Sequence, residues 1–388
     1  MNIPLLLLAL ATFATGTAEN IVIGILPEVA SGLGVSIGLA GQLTAVFSVT
    51  FALAAPAALQ LTGRIDRKPL LSLALCLFVV SNLAAAASPA YGVLVAARIG
   101  MAVASAIACL VATMLATEIV PRERRGRAIG LIFMGISASL VLGVPAGMIA
   151  SSALGWRSVF IGLALFAAII LLACLCFVPA TDWSKPARHA SYRDHLRSAP
   201  CLLAQLVSVL MIGGHFVLFA YLAPYLRAIA GMDGDEIVAA FFAFGVAGVC
   251  GGYLGGRLSD AVAPRLALRL TPLAYLLALI VIPLVVEYRL SMIAAMMLWG
   301  CISWMISPVV QSFLIARSPQ TAEAGVGLNL SAMHVGVGLG TGIGGVLVEI
   351  ATPSALPVAA AALASLAVVA ALAATRRTAV TQPGRQAR

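Results

Sequence analysis

The sequence predicts an all-α integral membrane protein, with twelve transmembrane helices arranged as two parallel six-helix repeats. Three observations lead there. Of 388 residues, 62% are hydrophobic and only 10% are charged, whereas soluble domains carry about a quarter charged residues. Twelve apolar runs follow one another, and a spanning helix needs about 20 mostly apolar residues. Short motifs of the first half also recur in the second half in the same order.

The runs define the elements in turn. Span 1 (3–29) opens the chain and has no Lys or Arg before Arg64, so it lacks the basic region of a signal peptide and is read as a retained helix. Span 2 (37–61) leads into the loop Gly63-Arg-Ile-Asp-Arg-Lys68. Spans 3 (70–88) and 4 (91–119) follow, the latter with Arg98 inside it. Span 5 (128–151) contains Leu142-Gly-Val-Pro-Ala-Gly147, where small residues let backbones approach and Pro145 permits a bend. Span 6 (157–178) ends at the one long polar stretch, 179–200, which is too short for a domain. It reads as a cytoplasmic linker with a short amphipathic turn at Tyr192-Arg-Asp-His-Leu-Arg197. Spans 7 to 12 fall at 201–228, 236–257, 266–286, 290–315, 324–349 and 354–375. The expected domains are therefore an N-terminal bundle (1–178), the linker (179–200), a C-terminal bundle (201–375) and a cytoplasmic tail (376–388).

Charge sets the orientation. With both termini cytoplasmic, the cytoplasmic loops and ends hold 19 of the 23 basic residues. The outer side keeps Arg157, Arg227 and Arg289, and Arg98 lies within the membrane. The positive-inside rule favours this even-numbered topology. The net charge of +9 is thereby absorbed by topology, and no nucleic-acid partner is expected. The seven cysteines lack zinc or C-x-x-C spacing and read as small packing residues, so neither a metal nor any cofactor beyond a proton gradient is expected.

The repeat is visible at four places. Gly63-Arg64 recurs as Gly256-Arg257, Asp66 as Asp260, Pro27 as Pro224, and Leu142-Gly-Val-Pro-Ala-Gly147 as Leu339-Gly-Thr-Gly-Ile-Gly344, all at offsets of 193–197. Six is even, so the copies run parallel, and binding sites in such transporters lie between the halves near the midplane. The glycine run Gly336–Gly344 has no Lys and no preceding strand, which excludes a phosphate loop.

At these residues the chain resembles the major facilitator superfamily over its full length. Gly63-Arg-Ile-Asp-Arg-Lys68 resembles the family's loop signature between helices 2 and 3, with Thr62 where Gly is usual and Pro69-Leu-Leu in place of the trailing Gly-Arg-Arg. Arg98 sits where the family has a helix 4 arginine, and Gly143-Val-Pro-Ala-Gly147 resembles the helix 5 signature of its proton-coupled exporters. Gly24-Ile-Leu-Pro-Glu28, Ile132-Phe-Met-Gly135, Gly214-His-Phe-Val-Leu-Phe-Ala-Tyr221 and Pro308-Val-Val-Gln-Ser-Phe-Leu314 resemble bacterial purine base efflux pumps and chloramphenicol efflux proteins. The resemblance implies gating roles for Asp66, Arg67 and Asp260, and spans 1, 4, 7 and 10 around a cavity.

Of fourteen acidic residues, only Glu19 lies well inside a span. A charge there costs about 2.5–3.5 kcal/mol on insertion scales, and intramembrane acids default to function. Glu19 is the candidate proton-coupling residue; the alternative is a structural carboxylate. Arg98 either pairs with Glu19 or caps backbone carbonyls. Asn20 either orients Glu19 or faces the cavity. His215 is a candidate substrate ligand or a satisfied packing residue, and His334 has the weaker case of the two. Phe219 shares a face with His215, near Tyr221, and Trp304 shares one with Gln311, where a flat heteroaromatic ligand could stack and hydrogen-bond. Tyr225 and Trp299 read as interfacial anchors or packing. Spans 6, 9 and 12 show no polar residue near mid-span and read as lipid-facing.

The expected function is proton-coupled export of a small neutral molecule by alternating access, with nucleobases or nucleosides first and amphenicol-like drugs or a sugar-type metabolite as alternatives. The partners are then substrate, protons and the bilayer, with a monomer expected. A non-transporting receptor would predict an added signalling domain or long tail, and the chain ends about a dozen residues after span 12. No Ser-His, H-E-x-x-H or paired-aspartate pattern lies within the spans, so an enzyme is not expected.

Overall fold

The computed structural model describes residues 3–61, 65–121, 124–179 and 192–376. Gly63 and Arg64 of the loop motif, Arg122, Lys185, Arg188, most of the linker and the tail after Arg376 lie outside the described residues. The described residues are helical with no strands, and twelve helices are long and apolar enough to cross a membrane. With no water in the hydrocarbon core, only a helix satisfies its own backbone groups within one segment.

Most boundaries fall within a few residues of the apolar runs. Two spans are broken. Span 1 is Ile3–Gly24 followed by a short helix Leu26–Leu33, and span 7 is Ala199–Phe219 followed by Leu222–Ala228. Pro27 and Pro224 sit in the first turn of the two short helices, where a missing N–H costs nothing. Span 5 is Arg125–Ala138, a π-helical turn Ser139–Gly143, and Val144–Leu154. The irregularity anticipated at Pro145 is thus a π-turn just before it.

Glycines set the closest helix contacts. A Cβ on Gly336, Gly340 or Gly344 of span 11 would strike the carbonyl oxygens of Val209, Gly213 and Val217 on span 7. On the other side of span 11, Gly338 and Gly345 meet Val49 and Gln42 of span 2. Span 5 repeats the arrangement against span 1, with Gly135, Gly143 and Gly147 packed on Ala9, Thr17 and Ile21. Gly248, Gly251 and Gly255 of span 8 pack against Trp304, Cys301 and Met305 of span 10.

The outermost side chains sort the helices. Leu165, Ile169 and Leu172 of span 6, Leu273, Leu277 and Leu284 of span 9, and Val358, Leu366 and Val369 of span 12 are exposed, which fits a lipid-facing position. Span 3 presents Leu73, Val80 and Leu83 in the same way. One correction applies to span 9: Thr271 and Tyr275 are buried polar residues on its inner face.

Arg67, Lys68, Arg125 and Arg317 mark one end of the bundle, the basic face. Near it, Tyr192–Leu196 forms the expected short amphipathic helix, with Arg193 and Arg197 exposed and His195 fully buried. His195 reaches Gln205 (3.3 Å) and Thr321 (3.2 Å), and Gln205 continues to Gly325 and Asn329. This network ties the linker helix to spans 7 and 11. Burial holds the His195 imidazole below its ordinary value of 6.5. The undocked form then takes up a proton that the docked form resists, so docking weakens as pH falls below that value. Hydrogen exchange in Tyr192–Leu196, corrected for intrinsic rate, is expected to be faster at about pH 5.5 than at about pH 7.5; equal protection would contradict the assignment.

Candidate functional site

Glu19 occupies the middle of span 1 on a stretch rich in small hydroxyl side chains: Thr12, Thr15 and Thr17 are buried and bond to carbonyls of the same helix. Its carboxylate is half-buried and faces His334 of span 11, with 3.4 Å between Oε1 and Nε2. The His334 Nδ1 lies 3.0 Å from the Leu330 carbonyl, and its ring stacks flat on Phe51 of span 2 at 4.0 Å and 5°. The residue with the weaker sequence case is therefore the partner of Glu19. It belongs to the last six spans, while Glu19 and Phe51 belong to the first six.

Arg98 takes the capping alternative. It is fully buried and donates to the carbonyls of Ala18, Glu19 (3.1 Å) and Leu43 (3.3 Å), with its guanidinium 4.3 Å above the Phe47 ring. It clamps spans 1, 2 and 4 together through main chain and does not pair with the Glu19 carboxylate. Asn20 donates back to the Gly16 carbonyl at 3.1 Å, so it braces its own helix and does not orient Glu19.

His215 lies elsewhere. Its Nδ1 is 2.7 Å from the Ser303 hydroxyl, and Phe216, Phe219, Phe244 and Trp299 surround the ring with centroids 4.9–5.7 Å away. Trp299 donates to the Tyr275 hydroxyl at 3.3 Å. Tyr225 and Trp299 are almost wholly buried, so the interfacial reading gives way to packing. The Phe219 ring stacks on Phe244 and is buried with the rest. Trp304 and Gln311 remain half-buried; Trp304 packs on Gly248, and Gln311 donates to Ser307 at 3.0 Å.

The face opposite the basic one is closed. The Tyr221 hydroxyl donates to the carbonyls of Thr341 (3.0 Å) and Gly38 (3.4 Å), and the Gly38 amide donates to Glu349 at 2.9 Å. Spans 2, 7 and 11 are thus knotted together there. Of the expected gating residues, Arg67 forms an ion pair with Glu118, while Asp66 and Asp260 are exposed. Sequence reasoning missed Phe51, Ser303, Tyr275 and Glu349. A usable signal existed for His334: it lies four residues before Gly338, on the glycine row that faces span 2. Among the described residues no group of three His, Cys, Asp or Glu side chains could hold a metal.

The family model for the Major Facilitator Superfamily matches residues 8–328. The chain belongs to the major facilitator superfamily. This major facilitator protein is 33% identical over 343 residues to an uncharacterised MFS-type transporter, YbcL, of Bacillus subtilis (strain 168), covering 88% of each chain. It is 33% identical over 264 residues to a chloramphenicol resistance protein of Streptomyces lividans, covering 67% of each. A bacterial homologue of the human lysosomal transporter Spinster, solved in an inward-facing and unoccupied conformation, shares its fold with a TM-score of 0.72 at 18% identity, over 96% of this chain and 93% of that one. The major facilitator fold expected from the sequence is borne out, and the protein is a multi-pass membrane transporter with efflux-type relatives.

Proposed function

We propose that the protein exports a small neutral molecule in exchange for protons, from a bacterial inner membrane in which both termini are cytoplasmic. The observation that carries this reading is Glu19, the acidic side chain at membrane depth, 20% exposed at the seam between the first and last six spans. A group there meets water on one side of the protein at a time, so it loads and unloads a proton as the bundles 1–178 and 201–375 rock. Closure by Tyr221, Gly38 and Glu349 on the far face fits a cycle in which substrate enters, and the proton leaves, at a mouth on the basic face. Asp66, Arg67 and Asp260 flank that mouth as its gating residues.

The half-buried Trp304 and Gln311 supply a ring to stack on and an amide to hydrogen-bond, which suits a flat, neutral heteroaromatic molecule. Asn20, His215, Phe219, Tyr221 and His334 are buried and held by protein contacts in this state, so their substrate roles require the bundles to rock. Nucleobases or nucleosides and amphenicol-like drugs are the substrate classes, the latter supported by the Streptomyces relative. No cofactor beyond the proton gradient is needed, and one chain forms a complete pathway.

The test uses everted membrane vesicles whose lumen is acidified by respiration. Adding adenine or chloramphenicol is expected to raise lumen pH only when this protein is present, because protons leave as substrate enters. Substrate accumulation with no change in lumen pH would overturn proton antiport.

A further inference from the structure

His334 fixes its own tautomer. Its Nδ1 lies 3.0 Å from the Leu330 carbonyl oxygen, and a carbonyl oxygen only accepts, so Nδ1 carries a hydrogen. In a neutral imidazole the second nitrogen is then a bare acceptor. That nitrogen, Nε2, is buried without a hydrogen-bond partner and stands 3.4 Å from the Glu19 carboxylate. An ionised carboxylate also only accepts. Two acceptors facing each other out of water repel, and a single proton between them makes the contact attractive. That proton sits either on Glu19, donated to Nε2, or on Nε2, donated to Glu19.

We infer that the coupling proton is held jointly by Glu19 and His334, and that it fastens the two six-helix halves to each other at the midplane. This rests on the reading of Glu19 as the proton carrier and deepens it. Glu19 comes from span 1 and His334 from span 11, so the proton bridges parts that must move apart during transport. Phe51 holds the imidazole plane from span 2, a span with no titratable residue of its own. From span 4, Arg98 spends its donors on three carbonyls, and Cys109 is the other group within electrostatic reach of Glu19. On span 7, His215 faces Ser303 instead. Loss of the proton to cavity water leaves a carboxylate opposite a lone pair, and the midplane contact turns repulsive. Deprotonation thereby loosens the state closed away from the basic face, and reprotonation after rocking restores it. His334 is in this account a positioning residue that makes proton occupancy and bundle position one equilibrium.

The experiment is nitrogen-15 NMR of the full chain in lipid nanodiscs, labelled at its four histidines, with the His334 signals assigned by His334→Gln. In the wild type, His334 is expected to keep its Nδ1 hydrogen across the titration, while Nε2 shifts with pH. In Glu19→Gln the Nε2 midpoint is expected to move by about one pH unit or more, the loss of a carboxylate neighbour. A neutral Nε2–H tautomer in the wild type would overturn the inference with no variant needed. An unchanged midpoint in Glu19→Gln would overturn it as well. Neither result measures transport, so Glu19 as sole carrier would survive both; that reading stands or falls on proton flux.

Discussion

Arg98→Leu is expected to destabilise the protein and to lower transport at least tenfold, about 1.4 kcal/mol on the transport barrier. The two halves of that expectation have different origins. The carbonyls of Ala18, Glu19 and Leu43 lie inside helices and keep their N–H partners when the guanidinium is gone. No buried group is orphaned, and removing a charge from membrane depth recovers about 2.5–3.5 kcal/mol on insertion scales. The three lost charge-assisted bonds, at about 1.5–3 kcal/mol each, outweigh that gain, so the variant is less stable than the wild type. Function is different because two of the three carbonyls flank the Cα of Glu19. Without the clamp, span 1 is free to turn against spans 2 and 4, and the carboxylate leaves its position opposite His334. Arg98→Lys is expected not to restore transport, since a point charge on a flexible stem cannot reach three carbonyls in three directions. Uptake of labelled substrate into everted vesicles, with thermal unfolding of the purified variants alongside, checks both halves.

The second large effect is a contrast between two glycines two residues apart. A Cβ at Gly340 would land on the main-chain oxygen of Gly213, which cannot swing aside as a side chain can. Gly340→Ala is expected to cost about 1–3 kcal/mol, the usual penalty of overpacking a tight contact. At Gly342 the same atom meets only the Gln42 Oε1, at 3.9 Å, which is ordinary contact distance. Gly342→Ala is expected to be neutral or to stabilise by up to about 1 kcal/mol, through the better helix propensity of alanine. Melting of the two variants in detergent distinguishes this account, in which spans 7 and 11 touch backbone to backbone, from one in which the glycine run is merely flexible. Equal melting temperatures would contradict it.

The spans were legible because bilayer thickness imposes a length that apolar runs display directly. The pseudo-equivalent breaks at Pro27 and Pro224 could be anticipated only as matching residues: proline marks where a helix is allowed to restart, not whether it does. The lipid-facing assignment of spans 6, 9 and 12 came from their lack of polar side chains, and it overlooked Tyr275 because a tyrosine hydroxyl can be satisfied by a tryptophan on a neighbouring helix. The polar site was read in its parts and not in its pairing. Depth along the membrane made Glu19 and Arg98 plausible partners, yet a guanidinium with five donors found carbonyls nearer than the carboxylate. The Glu19–His334 contact depends on the rotation of span 11, which is set by glycine rows packed against spans 2 and 7. That rotation is a tertiary fact, present in the sequence only as the spacing of small residues around His334. His215 shows the converse: mid-membrane depth and a cavity helix marked it, but four aromatic neighbours enclose it.

The central claim is that Glu19 makes transport proton-driven, and substrate flux in proteoliposomes containing Glu19→Gln tests it most directly. A glutamine keeps the shape and the bundle movement but holds no exchangeable charge. The account predicts that an imposed proton gradient no longer drives chloramphenicol or adenine accumulation in the variant, while exchange of labelled for unlabelled substrate continues. Gradient-driven accumulation at the wild-type rate in Glu19→Gln would contradict it.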